Sequence, residues 1–330
     1  MDAQTDIAAL AEKLLQGDRR ALARAITLVE SAREDHRDQA LALLDTLGTD
    51  RQALRIGLSG TPGVGKSTFI ESFGLMLTGM GKRVAVLAVD PSSARSGGSI
   101  LGDKTRMEQL ARDPNAFIRP SPSQTQLGGV ARRSREAVSL CEAAGFDIVL
   151  IETVGVGQSE TVVAQMADLF VLLLAPAGGD ELQGVKRGIM EMADLILVNK
   201  ADGSLKEQAL RTCADYAGAL RLLRKRPQDP NGFPKALTVS ALETDRLEDA
   251  WAEMQKLSDW RKEAGIWAET RAVQARYWFS EEVHQGLLDM LRKDPETATR
   301  MKTAEADVMA GQLSPTAAAQ AVLAGLKARG

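Results

Sequence analysis

The pattern of hydrophobic and polar residues divides the 330-residue chain into three regions. In residues 1–50, apolar side chains recur at helical spacing on both sides of Gly17, as shown by Leu10, Leu14, Leu22, Ile26 and Leu28. In residues 51–245, short apolar runs alternate with helical patterns, and after residue 246 only long amphipathic helices are predicted. We therefore predict an N-terminal helical extension (1–50), a central domain (51–245) and a C-terminal helical arm (246–330).

The central region has the pattern of a parallel β-sheet. Its apolar runs are nearly continuous in Val, Ile and Leu, which is typical of strands buried on both faces. The helical stretches between the runs predict crossover connections. The predicted strands are 54–59, 83–89, 116–119, 148–152, 169–175, 195–198 and 236–239. The predicted fold class is therefore α/β with a mostly parallel sheet, and ligands of such sheets bind beyond the carboxyl ends of the strands.

The loop after the first predicted strand carries a phosphate-binding motif. Residues 60–67 read Gly-Thr-Pro-Gly-Val-Gly-Lys-Ser between a strand and a helix, as a P-loop requires. The glycines allow backbone amides to point at a phosphate, and the helix N-terminus adds positive charge. We expect Lys66 to reach the β- and γ-phosphates and Ser67 to ligate Mg²⁺. The predicted nucleotide contacts are Gly60, Thr61, Pro62, Gly63, Val64, Gly65, Lys66, Ser67 and Thr68.

Two later strand ends predict that the base is guanine. Residues 199–202 read Asn-Lys-Ala-Asp, the N-K-x-D pattern of GTPases, and residues 240–242 read Ser-Ala-Leu. Asp202 would accept hydrogen bonds from guanine N1–H and the 2-amino group. Adenine lacks both donors, and each unmet buried bond costs ~1–3 kcal/mol. Asn199 would tie this loop to the P-loop, and the predicted base contacts are Asn199, Lys200, Asp202, Ser240, Ala241 and Leu242.

Acidic residues at strand ends are the candidate metal ligands. The strand 148–152 carries four apolar residues and then Glu152, which is the Walker-B pattern. Residues 152–155 read Glu-Thr-Val-Gly, at the position where small GTPases have the motif D-x-x-G. Glu152 would reach Mg²⁺ through a water or position the attacking water, and Gly155 would donate its N–H to the γ-phosphate. Asp90 and Asp103 would also lie near the metal. The predicted catalytic residues are Lys66, Asp90, Asp103 and Glu152, and the predicted metal ligands are Ser67, Asp90, Asp103 and Glu152.

The segment 178–186, Gly-Gly-Asp-Glu-Leu-Gln-Gly-Val-Lys, follows another strand end and has the composition of a mobile loop. Two interpretations stay open at this point, a solvated loop and a switch that senses a partner through Asp180, Glu181, Gln183 and Lys186. Gln158 is a weak candidate for orienting water. No arginine finger is evident, and such a group supplies ~10³–10⁵ in rate, so slow turnover is expected.

The composition of the chain excludes several functions and locations. The net charge of −3 gives no global reason to bind nucleic acid. The two cysteines and two histidines match no metal or redox spacing. No secretory signal is evident, and the longest apolar stretch is too short to cross a bilayer, so we expect a cytoplasmic protein without membrane contact. The C-terminal aromatics either pack on the nucleotide domain or, as we favour, form a homodimer interface: Trp260, Trp267, Tyr277, Trp278 and Phe279.

The runs 89–93, 152–160 and 178–186 together resemble the MeaB/ArgK group of GTPases, and the resemblance covers essentially the whole chain. That group belongs to the dimerising P-loop GTPases similar to SRP and the nitrogenase iron protein. The resemblance implies that Asp90, Asp103 and Glu152 surround the metal. It also implies that the loop from 178 to 188 is a third switch facing a partner enzyme, adenosylcobalamin-dependent methylmalonyl-CoA mutase.

The resemblance therefore implies a GTP-binding, slowly hydrolysing chaperone that gates adenosylcobalamin loading and protects the mutase. Three alternatives stay open from the residues alone. A nickel-delivery GTPase would need more cysteine and histidine than this chain has. A P-loop kinase acting on a protein or small molecule in transport would need a substrate pocket and a base. An adaptor would bind GTP without hydrolysing it.

Overall fold

The computed structural model describes residues 3–31, 33–48, 50–89, 107–120, 127–153, 159–176, 187–223 and 226–327. Its strands are β1 Leu54–Ser59, β2 Val84–Val89, β3 Ala116–Arg119, β4 Ile148–Thr153, β5 Leu169–Leu174, β6 Leu195–Val198 and β7 Lys235–Thr238. All seven predicted strands are confirmed, each to within one residue at either end. The long apolar runs located them because both faces of each strand are buried.

The strands form one sheet in the order β3-β2-β4-β1-β5-β6-β7, and every neighbouring pair is parallel. β1 lies at the centre, between β4 and β5. The carboxyl ends of all seven strands therefore lie along one edge, where the predicted motifs begin. This arrangement confirms the predicted α/β class with a parallel sheet.

Helices precede, connect and follow the strands along the chain. Their bounds are α1 Ala3–Leu15, α2 Arg19–Glu30, α3 Glu34–Leu47, α4 Lys66–Gly79, α5 Glu108–Arg112, α6 Leu127–Ala143, α7 Ser159–Met166, α8 Arg187–Met192, α9 Lys206–Leu222, α10 Leu247–Glu263, α11 Ile266–Lys293, α12 Pro295–Met309 and α13 Pro315–Lys327. Asp18 begins α2 as an N-cap that accepts from the amides of Arg20 and Ala21. These two donors stabilise the carboxylate and lower the pKa of Asp18.

The core of the sheet extends into α10. Phe69 and Phe73 of α4 stack at 5.1 Å between ring centroids, and Trp251 of α10 meets Phe73 edge-on at 6.1 Å. Met254 and Leu257 on the same helix are fully buried. α10 thus belongs to the compact unit of residues 1–272, whereas the sequence predicts a boundary at 246. The apolar face of α10 is what joins it to the sheet.

The second unit comprises residues 273–330, and its described part consists of helices joined by short turns. Within this unit α12 packs against α13. Asp294 caps α12 by accepting from the amide of Thr297 at 2.9 Å, and Pro295 occupies the first turn. No helix among the described residues is long and apolar enough to cross a membrane.

Buried ion pairs hold α10 against the amino ends of β5 and β6. Arg261 of α10 lies 2.6 Å from Asp194 and 2.8 Å from Asp229. Arg226 pairs with the same two carboxylates at 2.8 and 2.6 Å. Burial alone would lower the pKa of Arg261, but the two carboxylates raise it overall. The cluster stabilises the docking of α10 only while both charge types are present.

A second cluster of buried ion pairs holds the first turns of α11. Arg271 lies 2.7 Å from Asp168, which precedes β5, and 3.2 Å from Glu142 at the end of α6. Glu142 also pairs with Arg55 of β1 at 2.7 Å. The oxygen Oδ2 of Asp168 accepts from the backbone N–H of Arg55 at 2.8 Å. Each carboxylate therefore has a charged partner and a backbone donor, since Glu142 Oε1 accepts from the amide of Ala53 at 3.1 Å.

We expect Arg261→Ala to lower the free energy of unfolding of the full chain by about 3–5 kcal/mol, because it leaves two buried carboxylates short of a partner. Chemical denaturation followed by circular dichroism measures the change. Arg211→Ala is the control, since Arg211 pairs with Glu207 only at the exposed surface, at 3.9 Å. Its effect should stay within about 0.5 kcal/mol. Equal effects of the two substitutions would contradict this role of Arg261.

Candidate functional site

The phosphate loop joins β1 to α4 in the order that the sequence predicts. β1 ends at Ser59 and α4 begins at Lys66. Gly63 and Gly65 have φ angles of +85° and +86°, a region that favours glycine. A Cβ at Gly60 would lie 2.5 Å from the carbonyl oxygen of Leu173 in β5, so the loop also needs glycine for close packing.

The described loop residues present different degrees of exposure. Thr61, Pro62 and Gly63 are exposed, whereas Val64 is buried and anchors the loop. The ammonium group of Lys66 donates to the carbonyl of Gly60 at 3.0 Å, which places it across the mouth of the loop. This position lets one side chain cation and the first amides of α4 act on the same anion.

Asn199 connects the phosphate loop with the loop after β7. Its Nδ2 donates to the carbonyls of Val64 at 2.9 Å and Gly65 at 3.4 Å. Its Oδ1 accepts from the amide of Ala241 at 3.0 Å. The side chain is 2% exposed, so these bonds form away from water. The link between Asn199 and the P-loop that the sequence predicts is therefore present.

The predicted base-binding residues lie side by side at the carboxyl ends of β6 and β7. Ser240 is fully buried and donates through Oγ to Asp202 Oδ2 at 2.5 Å. The amide of Glu243 in turn donates to Ser240 Oγ at 3.1 Å, which fixes the orientation of the serine hydroxyl. Leu242 is 77% exposed beside them. The structure thus holds the Asp202 carboxylate in one orientation ready for a hydrogen-bond donor.

Lys200 has a strained backbone next to the phosphate loop. Its φ angle is +59°, which is uncommon for a residue with a side chain. Its ammonium donates to the carbonyl of Gly63 at 2.6 Å. The extended stem of Lys200 therefore spans from the base-binding loop to the phosphate loop, and strain of this kind is concentrated at functional sites.

Glu152 lies near the end of the central strand pair. It aligns with Leu58 of β1 on one side and Ala88 of β2 on the other, and it is 4% exposed. The next residue, Thr153, donates to the hydroxyl of Ser59 at 3.2 Å, just before the phosphate loop. The buried carboxylate of Glu152 therefore lies on the strand next to β1. β1 in turn leads through the phosphate loop to Ser67 in the first turn of α4.

These oxygen donors fit Mg²⁺. Among the described residues no group of three or more His, Cys, Asp or Glu side chains surrounds a common point. Mg²⁺ does not require such a group, because it binds through one or two carboxylates together with phosphate oxygens and waters. A serine hydroxyl and a buried carboxylate flanking a phosphate loop match that preference.

Several predicted site residues lie outside the described residues, so the structure does not place them. They are Asp90, Asp103, Gly155, Gln158, Asp180, Glu181, Gln183 and Lys186. Their predicted roles stay predictions.

The structure adds two supporting residues that the motifs do not reveal. Ser72 of α4 donates through Oγ to the carbonyl of Ala241 at 2.6 Å, which connects α4 to the loop after β7. Glu71 accepts from the amide of Gln109 at 2.8 Å, which caps the start of α5. Both residues lie in the middle of a helix, and only the packing of distant segments brings their partners near.

A P-loop on a parallel sheet, an Asn-Lys-Ala-Asp loop and a buried serine-aspartate pair together define a P-loop GTPase. A sequence profile described as "Methylmalonyl Co-A mutase-associated GTPase MeaB" matches residues 22–296. The chain belongs to this MeaB family, as the sequence predicts.

Relatives with known names agree with the assignment. A putative GTPase of Caulobacter vibrioides is 52% identical over 97% of both chains. The mouse methylmalonic aciduria type A homolog, a mitochondrial protein, is 48% identical over 96% of this chain and 78% of its own length. A solved structure described as a LAO/AO transport system kinase aligns with a TM-score of 0.75 at 36% identity, covering 98% of both chains. The predicted GTPase activity is thereby confirmed.

We expect Asn199→Ala to weaken binding of GDP and GTP alike, by at least about tenfold. The change leaves the Ala241 amide and the Val64 carbonyl without their partner, and each loss costs ~1–3 kcal/mol. Calorimetry in the presence of Mg²⁺ measures both dissociation constants. Asn115→Ala in an exposed turn is the control and should leave them unchanged. Unaltered affinity of Asn199→Ala would show that the two loops hold their positions without this side chain.

Proposed function

We propose that this GTPase is a chaperone of adenosylcobalamin-dependent methylmalonyl-CoA mutase. GTP binding and slow hydrolysis would gate the loading of adenosylcobalamin and protect the mutase from inactivation. The observation that carries the proposal is the family match over residues 22–296, which includes the nucleotide domain and part of each helical extension. The mouse relative named for methylmalonic aciduria supports the same partner.

We assign the described residues separate roles in binding the nucleotide. The amides of the loop 60–65 and the ammonium of Lys66 would bind the β- and γ-phosphates. Asp202 would read guanine, because Ser240 already holds one of its oxygens in place. Asn199 keeps the two subsites at a fixed separation. Guanine specificity thus results from a carboxylate that adenine would leave without a donor.

The hydrolytic part of the site is centred on Glu152. Ser67 and Glu152 would hold Mg²⁺ together with Asp90 and Asp103, and the ion would neutralise charge on the transferred phosphoryl group. Burial of Glu152 at the end of β4 excludes bulk water from its carboxylate. The carboxylate is therefore suited to orient a single attacking water.

The partner signal is proposed to pass through the segment 178–186. It connects β5, which packs beside β1 and contacts the phosphate loop at Leu173, with α8. Asp180, Glu181, Gln183 and Lys186 would contact the mutase there. The nucleotide state and the partner surface would then act on the same strand.

Phosphate release from purified protein tests this proposal. We expect hydrolysis of GTP in preference to ATP, a slow basal rate, and stimulation of at least about tenfold by saturating methylmalonyl-CoA mutase. A partner that aligns the water or supplies an arginine raises such rates by ~10³–10⁵, so a tenfold effect is a conservative expectation. An unchanged rate at saturating mutase would contradict the chaperone proposal.

Further controls separate a GTPase from a kinase and from an adaptor. Lys66→Ala should abolish hydrolysis, and EDTA should do so through removal of Mg²⁺. Asp180→Ala and Lys186→Ala should keep basal hydrolysis and lose the response to the mutase. Label from γ-³²P-GTP on a protein or small molecule, instead of free phosphate, would identify a kinase, the activity in the description of the structural relative. GTP binding without phosphate release would identify an adaptor.

We also propose that the protein is a cytoplasmic homodimer joined through its C-terminal helices. On α11, Phe279, Val283, Leu287 and Met290 recur at spacings of four, four and three residues and are 44–70% exposed. Such spacing places them on one helix face, and exposed apolar faces of this kind are typical of interfaces. The two cysteines are unbonded thiols, which suits a reducing compartment.

Light scattering after size-exclusion chromatography should give twice the chain mass of 35.4 kDa. Phe279→Glu combined with Met290→Glu should yield a monomer, because two carboxylates would be buried in an apolar contact. Met309→Glu is the matched control, since Met309 is 84% exposed on α12. A monomer before substitution, or a dimer unaffected by the double change, would rule out this interface.

A further inference from the structure

The loop after β7, residues 239–246, has a backbone that is strained at two positions. Thr244 and Arg246 have φ angles of +56° and +58°, a region that residues with a side chain seldom adopt. A strained backbone persists only where the surrounding contacts hold it, and such strain is concentrated at functional sites. The conformation of this loop therefore depends on the groups that bind to it.

Contacts within the loop connect its strained half to Asp202. The amide of Ser240 donates to the carbonyl of Asp245 at 3.0 Å, and the amide of Glu243 donates to Ser240 Oγ at 3.1 Å. Ser240 Oγ in turn donates to Asp202 Oδ2. A change in the path of the loop therefore moves the hydroxyl that orients the Asp202 carboxylate.

Two side chains from other segments hold Ala241, which is 2% exposed, by its backbone. Asn199 Oδ1 accepts from the amide of Ala241 at 3.0 Å, and Ser72 Oγ donates to its carbonyl at 2.6 Å. Asn199 belongs to the same segment as Asp202, whereas Ser72 belongs to α4, the helix that begins at the phosphate loop. The two contacts therefore fix the loop after β7 against two separate elements of the fold.

The contact of Ser72 is unusual for a serine in the middle of a helix. Such a hydroxyl commonly donates to the carbonyl four residues earlier, as Ser139 of α6 does to Arg135 at 3.2 Å. The hydroxyl of Ser72 instead bonds to a carbonyl 169 residues away in the chain. α4 is a firm support for this bond, because Phe69 and Phe73 are fully buried and stack on each other.

We propose that Ser72 is a positioning residue for guanine recognition. Through the carbonyl of Ala241 it sets the path of the loop after β7, and through Ser240 it sets the orientation in which Asp202 meets the 2-amino group of guanine. The inference rests on the proposed reading of guanine by Asp202. The phosphates are assigned to the loop 60–65 and Lys66, so the effect of Ser72 falls on the base.

Calorimetry on the full chain with Mg²⁺ tests the proposal with GDP and inosine diphosphate. The inosine nucleotide carries the same diphosphate but lacks the 2-amino group, so the ratio of the two dissociation constants reports on the base. We expect the unaltered chain to bind GDP at least about tenfold more tightly, as one hydrogen bond to a charged group provides. Ser72→Ala should lower this ratio at least about threefold, mainly by weakening the binding of GDP.

Two further variants show whether the hydroxyl itself is responsible. Ser72→Thr keeps a hydroxyl at this position and should retain the ratio to within about twofold. Ser139→Ala removes the same atom from a helix in which the hydroxyl bonds locally, and it should leave both dissociation constants unchanged. Loss of the ratio in Ser72→Thr as well as in Ser72→Ala would contradict the role of the hydroxyl.

Equal weakening of both nucleotides by Ser72→Ala would mean that the serine only supports the fold. An unchanged ratio would mean that Asn199 and the contacts within the loop suffice. Either result would overturn this inference alone, provided that the unaltered chain prefers GDP to ADP and to inosine diphosphate. An unaltered chain that binds the three nucleotides equally would overturn the proposed reading of guanine by Asp202 together with the inference.

Discussion

The side chain of Asn199 is the contact on which the nucleotide site depends. It forms hydrogen bonds with Val64 in the phosphate loop and with Ala241 in the loop after β7. These two segments are separated by more than half of the chain. Because the amide is buried, both contacts form in a low-dielectric setting and are costly to break. Phosphate and base subsites can therefore be aligned before any nucleotide is bound, which lowers the ordering cost of binding.

The parallel sheet makes this contact possible. With β1 between β4 and β5, the strand ends that carry Ser59, Glu152 and Leu173 meet around one loop. β6 and β7 bring Asn199 and Ser240 to the same edge. At the opposite edge, Arg261 and Arg271 join α10 and the start of α11 to buried carboxylates. One edge of the sheet thus carries the nucleotide site, and the opposite edge holds α10 and the first turns of α11.

The sequence predicted the strands and the described motif positions because their causes are local. A strand buried on both faces needs a continuous apolar run, and a loop with φ near +85° needs glycine, as at Gly65. The partners of Asp194, Ser72 and Glu142 are separated from them by 24 or more residues, so only the folded chain brings them together. The packing of α10 on the sheet was not predicted for the same reason, because an amphipathic pattern does not identify the surface on which the helix packs.

The connection between the two edges follows from α4. Its first residues, Lys66 and Ser67, meet the nucleotide, and its third turn carries Phe73 against Trp251. A helix this well packed moves as a rigid body, so displacement at one end requires α10 to adjust at the other. α10 leads within three residues into α11, the helix that enters the second unit. A change at the phosphates therefore has a packed route from α4 to α10 through the contact of Phe73 with Trp251.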